Sequence, residues 1–191
     1  MVEDSKVVIE PAQALSDIVL SLETLKISYF LVGSFASGIR GEFRATNDID
    51  LVCKITGDMV KHFSEGVAEK FFCDDIAAQT AIKSGGSFNL IHRETVLKID
   101  IFTKIDKFEA EEFSRASYVR IPYTTASVNV STVEYNILAK LRWYLMSNRQ
   151  LERQLQDVRA MIAINRASLD SDYLYKWADS LGLMDLLNSL L

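Results

Sequence analysis

The chain has 191 residues, 49% of them hydrophobic, with two prolines and eight glycines, a composition that supports one sizeable core and excludes a low-complexity or disordered polymer. Its formal charge of −5 disfavours generic nucleic-acid binding, which draws its affinity from clustered Lys and Arg. The charge is uneven: residues 1–130 carry 14 basic and 19 acidic groups, 131–166 carry 6 and 3, and 167–191 carry 1 and 4, so only 131–166 offers net positive potential to an anionic partner.

Pro11 suits a first helical turn, and Ala14, Leu15, Ile18, Val19, Leu22 and Leu25 recur at helical spacing, which predicts an amphipathic helix over 11–26. A strand at Ser28–Val32, a helix at Ser34–Arg40, a turn around Gly41 and a strand at Asp48–Lys54 follow as one strand-helix-strand unit. Gly57-Asp58 opens a helix with Val60, Phe63, Val67 and Ala68 on its apolar face. Phe71–Cys73 reads as a short strand, 74–82 as a helical or irregular connection, and Gly85-Gly86 as a breaker. Ser87–His92 and Thr95–Thr103 read as a hairpin, with Leu97, Ile99 and Ile101 on one face and Lys98, Asp100 and Phe102 on the other. Beyond a charged stretch at 104–115, Ser117–Ile121 and Ser127–Val130 look like short edge or cover strands around Pro122. Ser131 to Glu134 fits a capping box that starts a helix to about Met146; further helices are expected over 149–165 and, as one segment or a pair, 169–190.

Cys53 and Cys73 are the only cysteines and sit in no metal-like spacing, so neither a disulfide framework nor a zinc site is expected. The N-terminal MVEDSK lacks the pattern of a signal peptide, and no apolar run approaches the roughly 18 residues that span a bilayer. The expectation is a soluble cytoplasmic protein with no membrane partner.

The stretch Leu31 to Val52 concentrates the chemistry. Aspartates at i and i+2 on a strand share a face, so Asp48 and Asp50 stand side by side while Ile49, Leu51 and Cys53 enter the core. Mg²⁺ is typically held by one or two carboxylates with substrate phosphates. Fifteen residues before Asp48, Gly33-Ser34 follows the apolar run Tyr29-Phe-Leu-Val32 and precedes a helix, where amides and the Ser34 hydroxyl can hold phosphate. Taken alone, each aspartate reads as a turn, cap or solvated strand carboxylate, and Ser34 as a helix cap; the joint spacing favours metal and phosphate.

Gly33-Ser34, a long spacer, Asp48 and Asp50, then a lone aspartate in a downstream β-like run resemble the nucleotidyltransferase fold superfamily. The wording Val32-Gly33-Ser34 with Arg44-Ala-Thr46-Asn-Asp48-Ile-Asp50-Leu is similar to its bacterial branch of AbiEii-type toxins and related minimal nucleotidyltransferases, firmly over about Tyr29 to Thr103 and loosely beyond. The resemblance implies an α/β (α+β) fold, a nucleotidyltransferase-type mixed sheet flanked by helices, with residues 1–130 as the nucleotidyltransferase-fold domain and 131–191 as a C-terminal helical cap packed on it. It implies Asp48, Asp50 and Asp100 as catalytic carboxylates holding Mg²⁺ or Mn²⁺, two such metals being the usual means of neutralising both oxygens of an in-line displacement. Gly33, Ser34, Arg44 and Lys140 would bind the nucleotide. Arg44 reads equally as a brace for the loop, and Lys140 as an exposed or snorkelling lysine. Asp106 is the rival to Asp100 but sits between lysines past the apolar run. Arg153 and Asp157 resemble the family's Arg and Asp on the next helix and read equally as an i,i+4 ion pair; Gln154 and Leu155 stand where the family has a Lys-Asp pair.

The expected function is Mg²⁺-dependent transfer of an NMP from an NTP to a hydroxyl acceptor, with RNA, protein and small molecules all open as acceptor. The alternative is a non-catalytic protein of the same fold that acts as a partner in a toxin–antitoxin or phage-defence system. A homodimer or a cognate partner protein fits either. His62 and His92 read as surface or core-edge residues, and Trp143, Tyr144 and Trp177 as core or interface.

Overall fold

The computed structural model describes residues 2–40, 48–121, 124–148 and 150–191, with side chains from Pro11 onward, Arg40 excepted. Helix α1 (Val2–Thr24) leads through a turn into strand β1 (Tyr29–Val32), helix α2 (Gly33–Arg40) and strand β2 (Asp48–Cys53). A 3-10 turn at Gly57–Met59 runs into α3 (Val60–Val67), followed by β3 (Phe71–Cys73), α4 (Asp75–Ser84), β4 (Ser87–His92) and β5 (Lys98–Phe102). Then come α5 (Lys107–Arg115), β6 (Ser117–Arg120), β7 (Ser127–Val130) and four helices: α6 (Val133–Met146), α7 (Glu152–Asn165), α8 (Ser171–Ser180) and α9 (Met184–Asn188).

The seven strands form one mixed sheet in the order β3-β4-β5-β2-β1-β7-β6. β1 pairs with β7 and β2 with β5 in parallel, and the remaining neighbours are antiparallel. Alternation along the strands divides the apolar residues between two cores. Leu31, Ile49, Leu51, Cys53, Ile99 and Ile101 point into one, where Leu15, Ile18 and Leu22 of α1 and Phe63 of α3 cover them. Phe30, Val32 and Val52 point the other way, against Phe108 of α5, Leu138 and Leu141 of α6, Val158 of α7, and Leu174 and Trp177 of α8. Phe30 meets Phe113 and Tyr135 edge-on at 4.7 and 5.3 Å between ring centres, a favoured aromatic geometry.

Four local expectations change. Pro11 lies inside α1 rather than in its first turn, a position that forfeits one helical hydrogen bond. The charged stretch at 104–115 contains helix α5, because Asp106 and Glu109 form a reciprocal capping box and Phe108 is buried; Asp106 is thereby a helix cap. At α6 the cap is Thr132, whose hydroxyl accepts from the Tyr135 amide at 3.2 Å. Glu134 turns away and accepts from the Asp170 amide at 2.9 Å. His92 is fully buried, with Nε2 3.1 Å from Asp17 and Nδ1 2.8 Å from Thr95.

Glu112 ties the second core together. Its carboxylate is buried and accepts from the amide and hydroxyl of Thr132, before α6, and from the Tyr173 phenol on α8. Burial pushes this carboxyl up to about 7, opposed by the hydrogen bonds it accepts. No helix among the described residues is long and apolar enough to cross a membrane.

Candidate active site

Strand register assembles the acidic residues. In the parallel β2–β5 pair Asp50 lies opposite Asp100 and Asp48 opposite Lys98, so the four side chains share one sheet face. It is the face that α6 and α7 cover further along, where Val52 and Phe102 continue the same rows. Asp48 is the outermost, 56% exposed, and Asp100 is 15% exposed. The Asp50 carboxyl is pushed up to about 6, first by burial and then by the negative charges of Asp100 and Asp48, while Lys140 and Lys98 pull it down.

Lys98, which the sequence reading left without a role, stands between the acids. Its ammonium is 2.8 Å from Asp100 Oδ2 and 3.8 Å from Asp48 Oδ1, and the hydrogen bond to Asp100 holds it above the ordinary lysine range. Among the described residues no group of three or more His, Cys, Asp or Glu side chains is gathered as a metal cage. The donor chemistry nevertheless fits a hard divalent cation: three carboxylates project from one face, and burial together with its two acidic neighbours disfavours the charged form of the middle one.

The Gly33-Ser34 turn is built against this cluster. Gly33 follows β1, whose Val32 pairs with Asp50, and has φ +72°. A Cβ on Gly33 would lie 2.1 Å from Asp50 Oδ2, so the absence of a side chain leaves room for the Asp50 carboxylate. The Gly33 amide donates to Asn136 Oδ1 at 3.2 Å, which removes it from the donors open to phosphate. Asn136, buried in α6, also donates to Ser131 Oγ at 2.7 Å and to the Thr132 carbonyl at 3.0 Å, and Ser131 Oγ donates to the Leu31 carbonyl at 2.8 Å. Ser34 lies within the first turn of α2 rather than before it, where backbone amides have no intrahelical acceptor.

Lys140 is buried, neither exposed nor snorkelling. Its ammonium donates to Asp157 Oδ2 at 2.8 Å and to Gln154 Oε1 at 3.3 Å, and its charge acts on Asp50. Asp157 thus pairs across helices with Lys140, and Arg153 is exposed. The structure therefore brings Gly33, Ser34, Asp48, Asp50, Asp100 and Lys140 to one end of the sheet; Arg44 lies outside the described residues. Asn136, Gln154 and Lys98 complete the surroundings. Lys98 was legible in principle, two residues before Asp100 on a strand, whereas Asn136 lies 103 residues from Gly33 and leaves no local signal.

No protein-family model matches the sequence, and no curated protein matches it. Among solved structures, the chain is similar to an antigenic nucleotidyltransferase-like protein from Paracoccidioides brasiliensis, at 15% identity and a TM-score of 0.54, over 81% of this chain and 76% of that one. It is also similar to the antibiotic-resistance factor ANT(2'')-Ia, at 12% identity and a TM-score of 0.54, over 95% of this chain and 96% of the other. At these identities the likeness is one of fold.

Proposed function

We propose that this chain, which has the fold of nucleotidyltransferase-like proteins, transfers an NMP from a nucleoside triphosphate to a hydroxyl acceptor. The observation that carries the reading is the convergence of Asp48, Asp50 and Asp100 on one face of β2 and β5, directly against a glycine turn that only a residue without a side chain can form. Mg²⁺ or Mn²⁺ held by these three carboxylates would neutralise charge on the triphosphate and on the leaving pyrophosphate. Ser34 presents its hydroxyl and amide at the N-terminus of α2, where phosphate is favoured. Lys140 supplies fixed positive charge from below, oriented by Asp157 and Gln154. Asp100 takes the proton of the acceptor hydroxyl as the new oxygen–phosphorus bond forms, and pyrophosphate leaves with the electrons of the broken bond.

The test is incubation with α-labelled NTPs, Mg²⁺ and cell extract. Wild type should label an acceptor, and Asp48→Ala should reduce labelling by about 10²–10³-fold, the scale for removing one electrostatic group from a preorganised site. A wild type that neither binds nor transfers any NTP would sink the proposal. The second reading, a non-catalytic partner in a toxin–antitoxin or phage-defence pair, draws on the Lys98 ammonium that already occupies the acidic cluster. Calorimetry with ATP or GTP separates the two: metal-dependent binding lost in Asp50→Asn belongs to an enzyme.

A further inference from the structure

Helices cover only part of the sheet face that bears the carboxylates. Over β1 and the Val52 end of β2 that face is buried against α5 to α8. Over β5, β4 and β3 it carries three cross-strand rows. Phe72, Ile91 and Lys98 lead to Asp48; Asn89 and Asp100 lead to Asp50; Ser87 and Phe102 lead to Val52. Phe72 is 56% exposed, Ser87 and Asn89 are exposed, and Ile91 and Phe102 are half-buried. Trp143 on α6, 49% exposed, walls this surface with its ring 6.3 Å from that of Phe102.

We propose that this open half-sheet is the acceptor site and that the acceptor is a small, uncharged, hydroxyl-bearing molecule with an apolar ring or chain. The proposal rests on the nucleotidyl-transfer reading and names its substrate class. In-line displacement requires the incoming hydroxyl and the departing pyrophosphate to lie on opposite sides of the α-phosphorus. Ser34, at the end of β1, places the phosphates on the β1 side of Asp50, so the hydroxyl enters from the β5 side, over Asp100. The acceptor oxygen then bonds the α-phosphorus, the bond to the bridging oxygen of the β-phosphate breaks, pyrophosphate carries away the electron pair, and Asp100 receives the proton.

The surface chemistry selects the class. Of the seven strand positions facing outward over β3, β4 and β5, only Lys98 and Asp100 are charged, and they neutralise each other at 2.8 Å. A polyanion such as RNA would need a basic stripe, and a polycation an acidic surface beyond the three site carboxylates. Phe72, Ile91, Phe102 and Trp143 instead offer apolar and aromatic contact, with Ser87 and Asn89 as neutral hydrogen-bonding groups.

The experiment incubates the full chain, α-labelled NTPs and Mg²⁺ with a cell extract divided into a small-molecule filtrate, an RNA fraction and a protein fraction. Label should enter the filtrate. Phe72→Ser and Trp143→Ala, both at exposed positions, should each raise the filtrate concentration needed for half-maximal transfer at least tenfold and leave NTP binding by calorimetry unchanged. Ribonuclease-sensitive or protease-sensitive label overturns the proposal, as does filtrate labelling indifferent to both substitutions. Absence of metal-dependent NTP binding in wild type overturns the transfer reading itself and this proposal with it.

Discussion

Gly33 meets two demands at once: a left-handed backbone, and a carboxylate lying where a Cβ would be. Gly33→Ala should cost at least about 1–2 kcal/mol from the backbone alone, with a further loss from the displaced Asp50. Transfer activity should vanish because the carboxylate has moved. Thermal denaturation checks the first part, and the double variant Gly33→Ala/Asp50→Ala checks the second, since without the carboxylate the extra cost should shrink and leave a measurable coupling. The sequence made the pieces of this contact legible, because a period of two puts Asp48 and Asp50 on one face and Gly-Ser after an apolar run marks a turn between strand and helix. It did not make the contact itself legible. That depends on the antiparallel register that pairs Val32 with Asp50, a property of two strands rather than of either. The burial of Lys140 was illegible for the same reason: its neighbours on α6 mark an apolar stripe, but only the packing of α7 delivers Asp157 to pair with its ammonium.

At the scale of elements, α5 was missed because its sequence, Lys107 to Arg115, is mostly charged, and its burial runs through carboxylates rather than an apolar stripe. Glu112 has a measurable consequence. Its carboxyl titrates near 7 in the folded protein, above the ordinary 4.5, so the folded state holds a proton that the unfolded chain releases. The stability this provides is fully present below about pH 4.5 and is lost as pH rises towards about 7, by up to about 3 kcal/mol at 1.36 kcal/mol per unit. Urea denaturation from pH 4.5 to 7.5 should show this decline, and Glu112→Gln, which keeps an acceptor for Thr132 but does not titrate, should make it shallower, the rest belonging to Glu109, raised to about 7, and Asp50, raised to about 6. An unchanged slope in that variant would mean that other groups cause the decline.

Across the molecule, the sheet belongs to both cores. Alternate residues of β1 and β2 pack against α1 on one side and against the C-terminal helices on the other, so neither layer keeps its partner surface if the other is lost. Heat should therefore unfold the chain in one calorimetric transition. Phe30→Ala should cost about 3–5 kcal/mol and lower that single transition by on the order of 10 °C, whereas a split into two peaks would show that the layers melt independently. Strand identities and their inward faces were largely legible because they are local patterns; the order of strands was not, because β7 reaches β1 only after a hundred residues. That distance bears on synthesis. The Leu31 carbonyl and the Gly33 amide find Ser131 and Asn136 100 and 103 residues later, so neither contact can close before the chain has been made that far. On the ribosome, then, an emerging chain can carry all three aspartates and still lack a seated Gly33 turn, and competence would arrive only when α6 leaves the exit tunnel and docks.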